Sequence, residues 1–261
     1  MSIEVLDNAL ARGEFARVRN TSPLVHCLTN IVASAFTADL LAAAGASPAM
    51  IPAKEEAPDF ARIASALLVN VGTLTSPDLA AMVLSARAAG YAEKPWVLDP
   101  VAAGVSIWRD AMIAKLLVES PTVIRANPSE IIALSGGEKT AKGVDSVLGS
   151  DRALEAAGNL AAATGAIVAV TGATDFITDG KRTLSVVGGD VGASRVVGTG
   201  CALSALVAAF VANAEDRLIA TAAACALCKK AAEKASGLSY GTYRIAYLDA
   251  IEKISLEATG K

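Results

Sequence analysis

Residues 65–72 read SALLVNVG, five apolar residues around one asparagine and a closing glycine. Apolar and polar residues do not alternate in this run. A strand built from it must be covered on both faces, as in a parallel sheet with helices on either side. PWVLDP (95–100), PTVIRANP (121–128) and GAIVAVTG (165–172) repeat the design, each a short run of branched residues that stops in Asp, Asn or Gly. Helical patterns separate them. PLVHCLT (23–29) adds a further strand, and VASAFTADLLAAAG (32–45) is expected to form a helix closed by Gly45. FITDG and TLSVVGG, within 176–189, predict an antiparallel hairpin that turns at Asp179 and Gly180. From Cys201 onward nearly everything fits helices. The expected fold class is α/β, a single doubly wound, mostly parallel sheet flanked by helices.

With 261 residues and 53% hydrophobic content the chain can bury a large core. No low-complexity linker, charge block or long repeat divides it, so one domain spanning 1–261 is expected. A net charge of −3 supplies no basic field, which argues against nucleic acid and acidic membranes as partners and requires any phosphate to be held locally. Two stretches, 156–174 and 196–214, each carry 19 residues without a formal charge. Glycine-containing turns break both, so neither reads as a membrane span. The opening MSIEVLDNALARGE has early acids and no apolar h-region, and the expected location is cytoplasmic. The four cysteines form no disulfide framework. Cys225 and Cys228 make a lone CxxC in an Ala-rich helical pattern, with no second pair to complete a zinc site, and read as small core side chains. Few aromatics and many Ala residues suit closely packed helices and buried subunit contacts.

Neither GxxxxGK[ST] nor GxGxxG after a strand occurs, which argues against P-loop and dinucleotide-binding enzymes. What remains is a set of polar strand ends, where ligands gather in open α/β sheets. Asp99 closes PWVLD and reads either as a ligand for Mg²⁺ or its waters, or as a turn former before Pro100. In NPSEIIAL (127–134), Asn127, Pro128 and Glu130 have the spacing of a capping box. Arg125 stands just before it, and an arginine, a helix start and a carboxylate together suit a magnesium phosphate. The one histidine, His26, neighbours Cys27 in LVHCL, so the two must point to opposite sheet faces and cannot form a dyad. In VVGTGCALSALVAAF (196–210), Leu203, Leu206, Val207 and Phe210 recur with helical spacing, placing a helix start close to Cys201. Gly198 and Gly200 before it allow positive φ and close backbone approach, so the amides there can converge on an anion.

These segments resemble hydroxyethylthiazole kinases, within the ribokinase-like superfamily. The likeness runs in order through SPLVHCLTN (22–30), AAGASPAM (43–50), SALLVNVGTLT (65–75), VLDPVAAG (97–104), IRANPSEI (124–131), KGVDS (142–146), VTGATDFITDG (170–180) and VVGTGCALSALVAA (196–209). The resemblance implies ATP-dependent phosphorylation of 4-methyl-5-(2-hydroxyethyl)thiazole in thiamine salvage, with Mg²⁺ required and a homotrimer as the usual assembly. It implies a thiazole contact at Met50, substrate-side contacts at Gly198 and Gly200, ATP contacts at Arg125 and Thr171, acids near the magnesium at Asp99 and Glu130, and Cys201 beside the accepting alcohol. Many ribokinase-like enzymes have an aspartate where this chain has Cys201. The thiol would act as a modest base, its pKa lowered by the helix amino end, or would only align the hydroxyl.

Three positions depart from the family pattern. Ala126 stands where a glycine is common, Ala173 where many members carry an acid, and LSYGTY (238–243), with Tyr240, where a GPGTF-like segment is common. Rival readings are a kinase for another small alcohol such as the pyrimidine half of thiamine, a non-catalytic nucleotide- or thiazole-binding protein, and a cysteine hydrolase needing His26 near Cys201.

Overall fold

The computed structural model describes residues 3–136 and 150–260, with the side chains of 150 and 151 excepted. The KGVDS segment (142–146) lies outside the described residues. The chain runs β1 (Ile3–Val5), α1 (Asn8–Thr21), β2 (Leu24–Leu28), α2 (Ser34–Ala44), β3 (Ser47–Ala49), α3 (Ala57–Ile63), β4 (Ala66–Asn70), α4 (Ser76–Tyr91), β5 (Trp96–Asp99), α5 (Ile107–Leu117), β6 (Val123–Ala126) and α6 (Pro128–Leu134). It continues through α7 (Ser150–Thr164), β7 (Ile167–Val170), the hairpin β8 (Asp175–Thr178) and β9 (Thr183–Val186), the short α8 (Gly192–Arg195), and α9 (Thr199–Val211), α10 (Arg217–Lys234) and α11 (Tyr240–Ala258).

Among the described residues, nine strands join one sheet in the order β1-β9-β8-β7-β6-β5-β4-β2-β3. Only β8 runs against its neighbours; the remaining pairings are parallel. The apolar runs therefore form the strands they predict, and the hairpin closes where Asp179 donates its amide to the Arg182 carbonyl at 3.3 Å. Two strands escaped the sequence reading. β1 and β3 are three-residue edge strands, too short to carry a pattern of their own.

Side chains on successive strand positions enter two separate cores. Leu68, Val97, Val123 and Ala169 face α1, α2, α9, α10 and α11, whereas Leu67, Val69, Leu98, Ile124 and Val168 face α3 to α7. Because side chains alternate along a strand, this parity also fixes the strand ends. Asn70, Asp99, Arg125 and Thr171 all come out on the side of α9.

Helix α9 sits against the middle of the sheet, and every residue from Ala202 to Val211 is buried. Alanines at 202, 205, 208 and 209 let the backbone approach closely, while Phe210 fills the end of the layer and meets Phe15 edge-on with ring centroids 6.1 Å apart. Cys225 and Cys228 lie in the same core as free thiols, and burial pushes the Cys228 thiol up to about 12. Among the described residues no helix is long and apolar enough to cross a membrane. Truncating Phe210 to alanine should lower the unfolding free energy in urea by about 3–5 kcal/mol. A loss below about 1 kcal/mol would show that the α9 layer closes over the gap.

Candidate active site

The strand ends on the α9 side form a continuous polar row that follows the sheet order. Asn30, just past β2, donates from Nδ2 to Asn70 Oδ1 at 2.9 Å, and Asn70 donates from its own Nδ2 to Asp99 Oδ2 at 2.6 Å. Arg125 stands 3.9 Å from the same Asp99 oxygen and donates to the hydroxyl of Thr171. Ser204, on the second turn of α9, closes the row from above by donating to Asp99 Oδ2 at 2.8 Å. Asp99 is only 1% exposed, so its charge is compensated almost wholly by these groups.

Helix α9 begins at Thr199, two residues before Cys201, and its N-cap Gly198 takes φ 94°. No side chain caps this start, and while the Thr199 amide bonds the Val196 carbonyl at 3.4 Å, the amides of Gly200 and Cys201 are left for a ligand. A Cβ on Gly200 would come within 3.2 Å of Arg125 Nη1, so the absence of a side chain there is what lets the guanidinium lie against the helix start. Cys201 Sγ accepts from Asn30 Nδ2 at 3.2 Å. The helix start and the polar row thus share one asparagine.

Beside them opens a cavity of about 250 Å³ whose lining includes Asn30, Asn70, Cys27, Met50, Thr73 and Met82. That size suits one small ring with a short substituent. Met50 therefore stands in the cavity wall, Gly198, Gly200 and Cys201 at the helix start, and Asp99, Arg125 and Thr171 in the row. Glu130 lies at the α6 start, where one oxygen accepts from the Ala102 amide at 2.8 Å and the other from Asn127 at 3.0 Å.

Residues 15–257 match the hydroxyethylthiazole kinase family. The chain belongs to that family. It is 50% identical to a hydroxyethylthiazole kinase of Tolumonas auensis, with 94% of each chain covered. The structure of a hydroxyethylthiazole kinase protein from Pyrococcus horikoshii superposes with a TM-score of 0.86 at 37% identity, covering 93% of this chain and 92% of the other. A ribokinase-like superfamily protein from Enterococcus faecalis shares the fold, with a TM-score of 0.70 at 13% identity and coverage of 99% and 97%. The doubly wound α/β fold expected from the strand pattern is the one this ribokinase-like protein shares, and the chain, by its family, is a kinase that phosphorylates the thiazole alcohol.

The electrostatics of Cys201 run against the first of its two expected roles, a modest base with a lowered pKa. Burial, then the nearby charge of Asp99, pushes its thiol pKa up, outweighing the bonds from Asn70 and Asn30. Burial likewise raises Asp99 to about 6, with Glu130 adding to the rise and Arg125, Ser204 and Asn70 opposing it. Desolvation works against the charge on Arg125, but Asp99 and Glu130 outweigh it and keep the guanidinium protonated. The hydrolase reading fails on placement: His26 packs near Phe60 of α3, with ring centroids 6.1 Å apart, on the sheet face opposite α9.

Asn30, Asn70, Ser204 and Lys229 were not singled out by the sequence reading. Asn70 had a signal, as the one polar residue inside an apolar run. Lys229, on the buried side of α10, donates from Nζ to the carbonyls of Gly172 and Ala173 at 3.0 Å and Gly188 at 3.2 Å, and pairs with Asp175 at 3.4 Å. Ala173 thus contributes through its backbone carbonyl. Tyr240 opens α11 and its hydroxyl accepts from the Val197 amide at 3.4 Å, next to the GTGC turn. Ala126 is fully buried at the end of β6.

The raised pKa of Asp99 gives a pH signature for the free protein. Its folded value, about 6, exceeds the unperturbed 3.8, so the folded state binds the proton more tightly and gains stability as pH falls from 7 through 6 toward 4. Asp99→Asn should remove this gain, about 2–3 kcal/mol across that interval, measured by urea unfolding without magnesium. A variant that keeps the wild-type slope would assign the titration to another group.

Proposed function

We propose that this chain acts as one kinase domain over residues 1–261 and transfers the γ-phosphoryl group of ATP to the hydroxyl of 4-methyl-5-(2-hydroxyethyl)thiazole through this site. The observation that carries the reading is the row from Asn30 to Thr171, which sets a buried acid and a buried arginine against an uncapped helix start beside a small cavity. The thiazole lies against Met50, with its hydroxyl toward Cys201. The amides of Gly200 and Cys201, after the left-handed Gly198, take the moving phosphoryl group, and Arg125 and Thr171 contact ATP.

Asp99 and Glu130 would hold Mg²⁺. Among the described residues no cluster of three His, Cys, Asp or Glu side chains could enclose a metal. Two carboxylates nonetheless fit this ion, which is ordinarily held by one or two acids together with phosphates and water. Held there, the ion would supply positive charge to offset that of the phosphates.

In the transfer, the bond from the alcohol oxygen to the γ-phosphorus forms as the bond to the β–γ bridging oxygen breaks, and ADP leaves. A loose transition state asks for alignment and charge neutralisation more than for a strong base. That agrees with a Cys201 thiol whose pKa burial and Asp99 push up. Its sulfur, oriented by Asn30, aligns the hydroxyl, whose proton departs late to the phosphate oxygens. The four free thiols fit a reducing cytoplasm. Exposed Ile31, Val32 and Ile107 supply apolar surface for contacts in a homotrimer.

Magnesium-dependent ADP release with the thiazole alcohol tests the assignment, with hydroxymethylpyrimidine as the competing acceptor. Turnover should favour the thiazole and vanish on chelation of the metal; no turnover would sink the reading. Cys201→Ser should keep measurable activity, whereas Gly200→Val should lose on the order of 10²–10³ in rate by crowding Arg125 and the amides. A fully active Gly200→Val would refute this division of roles.

A further inference from the structure

We propose that His26 is a positioning residue, which fixes the Met50 wall of the cavity through the carbonyl of Ile51 and so sets how the small alcohol is held. The identity of that alcohol rests on the preceding reading; the positioning does not. His26 is fully buried, and its Nε2 lies 2.9 Å from the Ile51 oxygen. A carbonyl only accepts, so Nε2 carries the hydrogen. Nδ1 is buried with no partner and must be a bare lone pair, because a second N–H there would have no acceptor. The surroundings keep the ring neutral: Phe60 packs nearby, and the strand positions level with His26 are Leu67 and Ala49. Burial lowers the imidazole pKa, as expected of such an environment.

The segment that His26 holds has little else to hold it. Strand β3 ends at Ala49, Pro52 has no amide hydrogen, and the next backbone hydrogen bonds bring Glu56 and Ala57 to Ala53. Among the described residues, the bond from His26 is the one hydrogen bond that residues 50–52 make beyond the β2–β3 ladder. Met50 and Pro52, on either side of Ile51, both line the cavity. A shift of the Ile51 carbonyl therefore moves two wall residues together. The polar row lies on the other sheet face, so the reacting groups keep their own supports.

Conservative replacements separate this role from simple packing. The side-chain nitrogen of glutamine reaches about as far as imidazole Nε2, while that of asparagine stops short. His26→Asn should raise KM for hydroxyethylthiazole about five- to tenfold, with KM for ATP and kcat within about twofold of wild type. His26→Gln should restore the wild-type KM. Amide exchange over 50–56 should accelerate in His26→Asn and not in His26→Gln. Because the sequence holds a single histidine, ¹⁵N spectra of the untagged protein give one imidazole, which should be the Nε2–H tautomer. Equal KM in both variants, unchanged exchange, or an Nδ1–H tautomer would overturn the proposal. If the wild-type protein turns over no thiazole alcohol, the proposed substrate falls, and the exchange and tautomer measurements alone decide the positioning.

Discussion

The contact between Asp99 and Arg125 is the constraint around which the rest is arranged. Both side chains are withdrawn from water, at 2% and 13% exposure, and their closest approach of 3.9 Å is too long for a hydrogen-bonded pair to repay desolvation by itself. Compensation is distributed instead. Asn70 and Ser204 donate to the acid, Thr171 accepts from the base, and Asn30 anchors Asn70. Each donor comes from a different strand end or from α9, so satisfying one buried acid locks five neighbouring strand ends into register. A charge that would be a liability in an isolated strand becomes the fastener of the carboxyl edge.

Helix α9 supplies the other half of the arrangement. Its first turn offers amides and its second offers Ser204, while the remainder is apolar and sunk in the core. The polar face therefore has little freedom to drift relative to the strands. This pre-organisation is what a loose phosphoryl transfer demands, since alignment contributes where strong base catalysis does not. Arg125 Nε remains buried without a partner among the described residues, a polar atom held ready at the face where phosphate is expected.

The legible and illegible parts of the sequence divide along physical lines. SALLVNVG and its counterparts announced buried parallel strands because each run is longer than a turn and free of alternation. VVGTGCALSALVAAF announced its helix because four apolar residues keep step over two turns. β1 and β3 went unseen, being three-residue strands whose existence depends on the neighbour they pair with. The roles of Asn30, Asn70 and Ser204 depend on register between distant segments, which local pattern does not contain. For Cys201, the sequence revealed the helix start but not the depth of burial or the approach of Asp99, and those decide the direction of its titration.

The reversed strand β8 has a consequence for how the chain is routed. Because it carries the backbone back across the sheet, the chain leaves the same edge twice in rapid succession, after β7 at Gly172 and after β9 at Gly188. Both exits come to lie under α10, where the ammonium of Lys229 grasps a carbonyl from each. In an all-parallel arrangement a full helical crossover would separate those two exits. A single antiparallel strand makes them neighbours, so one side chain can serve as a common tether for loops that the linear sequence keeps apart.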